Sequence, residues 1–155
     1  MTTRPRRGHE VDGQAYSFIS REEFEKLERA GGFLETTTYL GERYGTPRKP
    51  VDEALAAGRI MVLEIDIQGG VAVANQLPES ILIFVMPPTM ETLQARLAGR
   101  KTESEEIQKR RLERADGEIA FARNSGLYKY FITNDILDDS IERVLAIIDR
   151  ETEAA

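Results

Sequence analysis

Hydrophobic and polar positions in the first third of the chain follow the pattern of a helix, a hairpin and a second helix. Ser20 and Glu23 have the spacing of a capping box before a helical pattern, and Gly31-Gly32 provides its end. The run TTTYLGERYGTP combines β-branched and aromatic residues with glycines and predicts a β-hairpin. KPVDEALAAGR predicts a short helix ending at Gly58. Together these elements predict a small mixed α/β lobe.

Three apolar runs in the rest of the chain are typical of buried strands. They read IMVLEIDIQGG, ILIFVMPP and YKYFITND, and such near-continuous runs are expected where both faces of a parallel sheet are covered. Helical patterns alternate with them, namely TMETLQARLAGR, the highly charged KTESEEIQKRRLERADGEIAFA and the amphipathic DDSIERVLAIIDRETEAA. This alternation predicts an α/β fold with a parallel sheet.

Composition and charge exclude several functional classes. The 155 residues suit one domain, and 27 acidic against 21 basic residues give a formal net charge of -6. This acidity argues against a general electrostatic hold on nucleic acid or on an anionic membrane. With no cysteine and a single histidine, His9, neither a thiolate site, a zinc centre nor a catalytic triad is expected. We expect a soluble, cytoplasmic protein, since no apolar run has membrane-spanning length.

Seven motifs, in order and at consistent spacing, resemble those of guanylate kinases. They are TTRPRRGHEVDGQAYSF, SREEF, GGFLE, YGT, LEIDIQG, RLAGRKTESEEIQKRRL and ITNDIL, and they cover nearly the whole chain. The resemblance implies a P-loop NTPase-like parallel sheet core, a small mixed α/β GMP-binding lobe and a helical lid. It places the lobe at about residues 4–50, the core at about 51–99 and 116–155, and the lid at about 100–115 of a single domain. The implied activity is Mg²⁺-dependent phosphoryl transfer from ATP to GMP, giving ADP and GDP.

The arginine-rich opening matches the family's clamp for the GMP phosphate. The matching residues are Arg4, Arg7, Tyr16 and Tyr44, whereas Arg6 is expected to be solvated. Arginine forks and tyrosine hydroxyls give a doubly charged phosphate several charge-assisted donors in fixed geometry. Taken singly, each arginine would be interpreted as a surface charge, and only their joint register favours the clamp.

Two residues match the positions at which the family reads guanine. Glu35 would face the N1–H and N2 amino donors, and Thr46 would face the O6 acceptor. Adenine would leave that carboxylate opposite an acceptor, so the wrong base is rejected by unpaired polar groups. Read alone, Glu35 would be a surface acid and Thr46 a turn residue.

Glu64 and Asp66 alternate by two near the end of the run IMVLEIDIQGG. Acids at the end of a buried strand are costly unless they bind something. In the resembling family, acids at these positions organise the nucleotide and its Mg²⁺, largely through water, and Asp66 also contributes to GMP binding. The alternative is that they cap a neighbouring helix.

The remaining matches lie in the second half of the chain. Arg100 and Arg111 match lid arginines that contact the exchanged phosphates, and Arg96 and Asn134 match positions on the adenine side of ATP. Positioned positive charge is most of what phosphoryl transfer requires from a protein. A solvated, charged helix face is the rival interpretation of the lid.

One motif of the family does not occur in this sequence. None of the twelve glycines begins a P-loop of the form G-x-x-x-x-G-K-[ST]. In one explanation, the family's first strand and P-loop lie before Met1, and this chain alone has little activity. In the other, it is a GMP-binding or protein-binding module without catalysis. The retained lid arginines and Asn134 favour the kinase. The sequence leaves the oligomeric state open.

Overall fold

Six helices and four strands form in the described part of the chain, residues 1–8, 10–14, 16–99 and 104–153 of this computed structural model. They are, in order, α1 (Arg21–Arg29), β1 (Phe33–Tyr39), β2 (Glu42–Pro47), α2 (Arg48–Ala56), α3 (Ile67–Gln76), β3 (Ile83–Met86), α4 (Met90–Gly99), α5 (Glu105–Asn124), β4 (Tyr130–Thr133) and α6 (Leu137–Glu153). The chain divides into two compact units, Met1–Ser80 and Ile81–Ala155.

Local signals place the first helix and the hairpin of the first unit. The predicted capping box is present: Ser20 Oγ accepts from Glu23 N at 3.1 Å, and Glu23 Oε2 accepts from Ser20 N at 2.9 Å. β1 and β2 pair antiparallel around a turn in which Leu40 and Gly41 both have positive φ, 50° and 84°. Two such residues favour a tight hairpin whose twist matches that of its strands.

The core of the first unit lies between the hairpin and two helices. Leu34 of β1, Val51 of α2 and Val73 of α3 form a buried cluster, against which Leu63, Ile65 and Leu77 pack. Beside it, the rings of Phe24 and Phe33 stack with centroids 4.5 Å apart, and Phe24 is fully buried. This packing holds β1 and α3 together, and the candidate site residues described below lie on both.

The prediction of a buried strand at residues 60–66 is wrong. These residues form no regular element, and the side chains of Ile60 and Val62 are 58% and 72% exposed. Leu63 and Ile65 do pack inward, so one face of the extended run is used. An extended segment becomes a strand only where a neighbour supplies backbone N–H and C=O groups, and none of the described strands pairs with this one.

In the second unit, the two predicted strands form a parallel pair. Ile83 is opposite Tyr130 and Met86 is opposite Thr133, which confirms parallel pairing. The predicted burial of both faces is wrong, because Val85 is 52% and Phe131 is 40% exposed. Within the described ranges, none of the helices is both long and apolar enough to cross a membrane.

Candidate functional site

The first residues of the chain are held against the hairpin. Thr2 is fully buried, its N–H donates to Ser17 O at 3.0 Å, and its hydroxyl donates to Arg43 O at 2.9 Å. Thr2 Oγ1 also accepts from Arg4 N at 3.1 Å. The backbone of Arg4 is therefore fixed, although it lies only four residues from the start of the sequence.

Arg4 makes a two-pronged ion pair with Glu10. Nη1 donates to Oε2 at 3.0 Å and Nη2 to Oε1 at 2.8 Å, and both side chains are largely buried. Glu10 Oε2 also accepts from the backbone N–H of Arg7 at 2.8 Å. The hydrogen bonds from Arg4, and next that from Arg7, lower the pKa of the Glu10 carboxyl to about 2. Glu10 in turn raises the pKa of Arg4. Sequence reasoning missed Glu10, whose only signal was an acid within the arginine-rich run.

Aromatic rings complete the surroundings of Arg4. Its guanidinium carbon lies 5.5 Å from the centre of the Tyr16 ring and 5.4 Å from that of Phe18. Tyr16 and Tyr44 meet edge to face at 5.9 Å. Burial raises the pKa of the Tyr16 hydroxyl. Arg4, Tyr16 and Tyr44 thus lie together, and Glu10 joins exposed Arg7 to them.

A buried carboxylate lies on β1, opposite β2. Glu35 is only 6% exposed and is paired in register with Thr46. Thr46 Oγ1 donates to Glu35 Oε1 at 2.6 Å. The second oxygen, Glu35 Oε2, is buried and has no hydrogen-bond partner among the described residues. A buried polar atom without a partner carries a desolvation penalty that a ligand donor would remove.

The two acids of the run LEIDIQG differ in their surroundings. Asp66 is the N-cap of α3, where Oδ1 accepts from Gly69 N at 3.0 Å and Oδ2 from Thr37 Oγ1 at 3.2 Å. The capping alternative is therefore confirmed for Asp66, whose role toward GMP stays a prediction. Glu64 is exposed, and its charge contributes to the raised pKa of Tyr16.

Comparison with known proteins assigns the family. The guanylate kinase family model matches residues 1–151. The guanylate kinase of Thermus thermophilus is 46% identical over 151 residues, covering 97% of this chain and 67% of that protein. The guanylate kinase of Streptococcus agalactiae is 45% identical over 151 residues, again 97% of this chain and 71% of the relative. The chain belongs to the guanylate kinase family.

The fold agrees with this assignment. A crystal structure of guanylate kinase from Anaplasma phagocytophilum matches with a TM-score of 0.80 and 32% identity, over 97% of this chain and 72% of that one. The mixed α/β architecture is thus that of a guanylate kinase structure. The chain spans between 66% and 71% of the length of the three curated guanylate kinases from T. thermophilus strains and S. agalactiae that it matches.

The guanylate kinase residues predicted on the adenine side lie together in the second unit. Arg96 Nη1 donates to Asn134 O at 2.7 Å, and its Nη2 donates to Asp135 O at 3.2 Å. Arg96 and Asn134 line one surface depression together with Met86 and Leu93. Arg96 therefore ties α4 to the turn after β4.

The predicted lid is only partly described. Arg100 lies outside the described residues, whereas Arg111 lies half-buried on α5. Ser104 caps this helix, and the i,i+4 ion pairs Glu106–Arg110 and Arg114–Glu118 lie along it.

The residues of the described ranges contain no group of three or more His, Asp or Glu side chains that would hold a metal ion. Both carboxylate oxygens of Asp66 already accept hydrogen bonds from the chain. The carboxylate of Glu64 is exposed. Among the described residues, these acids are not arranged as a set of direct metal ligands.

Proposed function

We propose that this chain carries the GMP-binding and lid parts of a guanylate kinase that transfers a phosphoryl group from ATP to GMP, giving ADP and GDP. The observation that supports this proposal best is the buried Glu35 carboxylate. One of its oxygens accepts a hydrogen bond from Thr46, and the other has no partner among the described residues. Such a carboxylate suits a ligand edge with two adjacent donors and a neighbouring acceptor. Guanine has that edge.

The order of the groups suggests how guanine would be read. Along its edge, O6 is followed by N1–H and then by the N2 amino group, while the chain presents Thr46 Oγ1, Glu35 Oε1 and then Glu35 Oε2. The Thr46 hydroxyl carries one proton, which it now donates to Oε1. Binding would turn that proton to O6, N1–H would take its place at Oε1, and the N2 amino group would donate to Oε2.

The phosphate of GMP would be held by Arg4, Arg7, Tyr16 and Tyr44. The Arg4 guanidinium has five N–H donors, of which two bond Glu10 and one bonds Pro5 O. The other two are left for Tyr44 and a phosphate. Glu10 is then a positioning residue that keeps the guanidinium oriented. Charge-assisted donors in fixed geometry are the usual means of binding a phosphate.

For the ATP side, we propose Arg96 and Asn134 at the adenine and Arg100 and Arg111 at the transferred phosphates. Glu64 and Asp66 would organise the nucleotide through water. Mg²⁺, when bound with ATP, spreads the charge of the phosphates. The proposal includes a division of the chain into a GMP-binding lobe, a lid and a P-loop NTPase-like parallel core.

Substitution of Glu35 by Gln tests the guanine site. Gln keeps the size of the Glu35 side chain but directs an amide donor at a donor of the base. The binding free energy of GMP should therefore weaken by roughly 2 to 4 kcal/mol. IMP lacks the N2 amino group, and the wild-type preference for GMP over IMP should shrink in Glu35→Gln. Calorimetric titration of both ligands into both proteins measures this, with Glu22→Gln on exposed α1 as the control. An unchanged ratio of affinities would reject Glu35 as the guanine reader.

Turnover separates the kinase from a non-catalytic GMP-binding or protein-binding module. Residues 1–155 contain no G-x-x-x-x-G-K-[ST], so we expect little ADP formation by this chain in a coupled assay. A chain extended by a strand and such a P-loop should turn over ATP and GMP with Mg²⁺. The closeness of Arg96 and Asn134 favours the kinase, since a pure GMP binder needs neither. An extended chain that binds GMP without turnover would favour the module.

A further inference from the structure

Gly69, in the first turn of α3, lies against the Glu35 carboxylate. A methyl group placed on its Cα would lie 3.0 Å from Glu35 Oε2, 3.3 Å from Glu35 Cδ and 3.1 Å from Ile65 Cβ. These separations are shorter than ordinary van der Waals contacts between such atoms. The carboxylate therefore occupies space that any side chain at position 69 would need.

The carboxylate has little freedom to move away from such a side chain. Glu35 is on a paired strand, is almost fully buried and is bonded through Oε1 to Thr46 at 2.6 Å. Displacing it would lengthen or break that bond in a buried site, where an unmade hydrogen bond is costly.

Helix α3 has equally little freedom to retreat from β1. Asp66, its N-cap, accepts from Thr37 Oγ1 of β1 at 3.2 Å, and Gln76 Nε2 at its other end donates to Leu34 O of β1 at 2.5 Å. Val73 packs between them in the buried cluster with Leu34. A side chain at position 69 would thus displace the carboxylate, mainly at Oε2, and would also press on Ile65 Cβ.

We propose that Gly69 is a positioning residue that determines specificity, because its missing side chain lets Glu35 Oε2 lie where it can accept from the N2 amino group of a guanine nucleotide. The inference rests on the proposed role of Glu35 in reading guanine. It adds that the distinction between GMP and IMP depends on a residue that need not touch the base.

The test compares Gly69→Ala with wild type in the full 155-residue chain, using calorimetric titration of GMP and IMP. GMP affinity should fall about tenfold or more, the size expected for a lost hydrogen bond to a charged group, and IMP affinity by much less. The GMP-to-IMP affinity ratio therefore falls. Gly117→Ala on helix α5 is the matched control, because a Cβ there would meet no described atom within 4 Å apart from its chain neighbours and the backbone of its own helix. It should leave both affinities unchanged.

A second pair of variants distinguishes positioning from a general effect on folding. Glu35→Asp withdraws the carboxylate by one methylene and opens space at position 69. In that background, Gly69→Ala should change the GMP-to-IMP ratio by less than about twofold, so that the two substitutions are strongly coupled. If Gly69→Ala alone fails to fold, the variant that combines it with Glu35→Asp should fold and should have the GMP-to-IMP affinity ratio of Glu35→Asp. If the combined variant does not fold, or has a different ratio, the inference is overturned.

The proposed function and this inference fail in different ways. A Gly69→Ala protein with the wild-type GMP-to-IMP ratio, in a chain where Glu35→Gln reduces that ratio, overturns the role of Gly69 alone. A GMP-to-IMP ratio that Glu35→Gln leaves unchanged overturns the guanine site itself.

Discussion

The two units differ in how completely they bury their apolar residues. In the first, Phe24, Leu34, Val51 and Val73 are at most 5% exposed. In the second, the described residues that are apolar and buried are Leu97, Ala122 and Ile132. Ile141 and Leu145 of amphipathic α6 are 47% and 53% exposed. The first unit packs a hairpin and helices that follow one another closely in sequence. Glu35 of the candidate guanine site directly follows Leu34 of this buried cluster on β1, so the site lies against the better-packed of the two cores.

The largest effect should come from truncating the ring at the centre of the first unit. Phe24→Ala removes a fully buried ring stacked on Phe33 and should cost about 3 to 5 kcal/mol of the free energy of unfolding. Native-state hydrogen exchange reports each unit separately. Phe131→Ala, which removes a 40% exposed ring from β4, is the matched control and should cost at most about half as much. Equal losses would remove the contrast between the two cores.

Phosphate recognition should depend on Arg4 and Arg7 of the first unit and not on Arg6. Arg4→Ala should weaken the binding free energy of GMP by about 1.5 to 3 kcal/mol and that of guanosine far less, because only GMP carries the phosphate. Arg7→Ala should act in the same direction. Arg6→Ala is the control, since Arg6 is exposed and expected to be solvated. Titrations of GMP and guanosine give the comparison, and equal losses for both ligands would indicate an effect on folding.

Two valines of the first unit compare a buried with an exposed position. Val51 is 3% exposed in the core, whereas Val62 in the misassigned run is 72% exposed. Val51→Ala should reduce the free energy of unfolding by about 2 kcal/mol. Val62→Ala should change it by less than about 0.5 kcal/mol. Urea unfolding measures both, and a large effect at Val62 would mean that the exposed side of residues 60–66 is packed in solution.

The last prediction concerns acid pH. The pKa of Glu10 is about 2 in the folded chain against 4.5 for an unperturbed glutamate, so its ionised form favours folding. That contribution is complete above about pH 4.5 and is lost as the pH falls toward 2. Urea unfolding between pH 6 and pH 2 should therefore show a shallower acid loss for Glu10→Gln than for wild type. Identical slopes would mean that the Arg4–Glu10 pair does not persist in solution.

Elements with local signals could be predicted, and those that depend on distant partners could not. Ser20, Glu23 and Gly31 define α1 from within a dozen residues, and the hairpin pairs segments joined by a two-residue turn. The run at residues 60–66 has equally good apolar character, but strand formation there requires a partner from elsewhere. The sequence predicted burial of both faces, whereas in the folded chain Leu63 and Ile65 pack inward and Ile60 and Val62 are exposed.

The amino-acid sequence was enough to assign the family, the local elements of the first unit and the chemical groups available for a nucleotide. The folded chain shows how those groups are arranged: Glu10 holds Arg4, Thr37 donates to Asp66, and one oxygen of Glu35 is hydrogen-bonded to Thr46 while the other lies against Gly69. The reason is physical. Hydrogen bonds and steric contacts act over about 3 Å, and Glu35 lies 11 residues from Thr46 and 34 from Gly69 along the chain, so only folding brings these atoms within range.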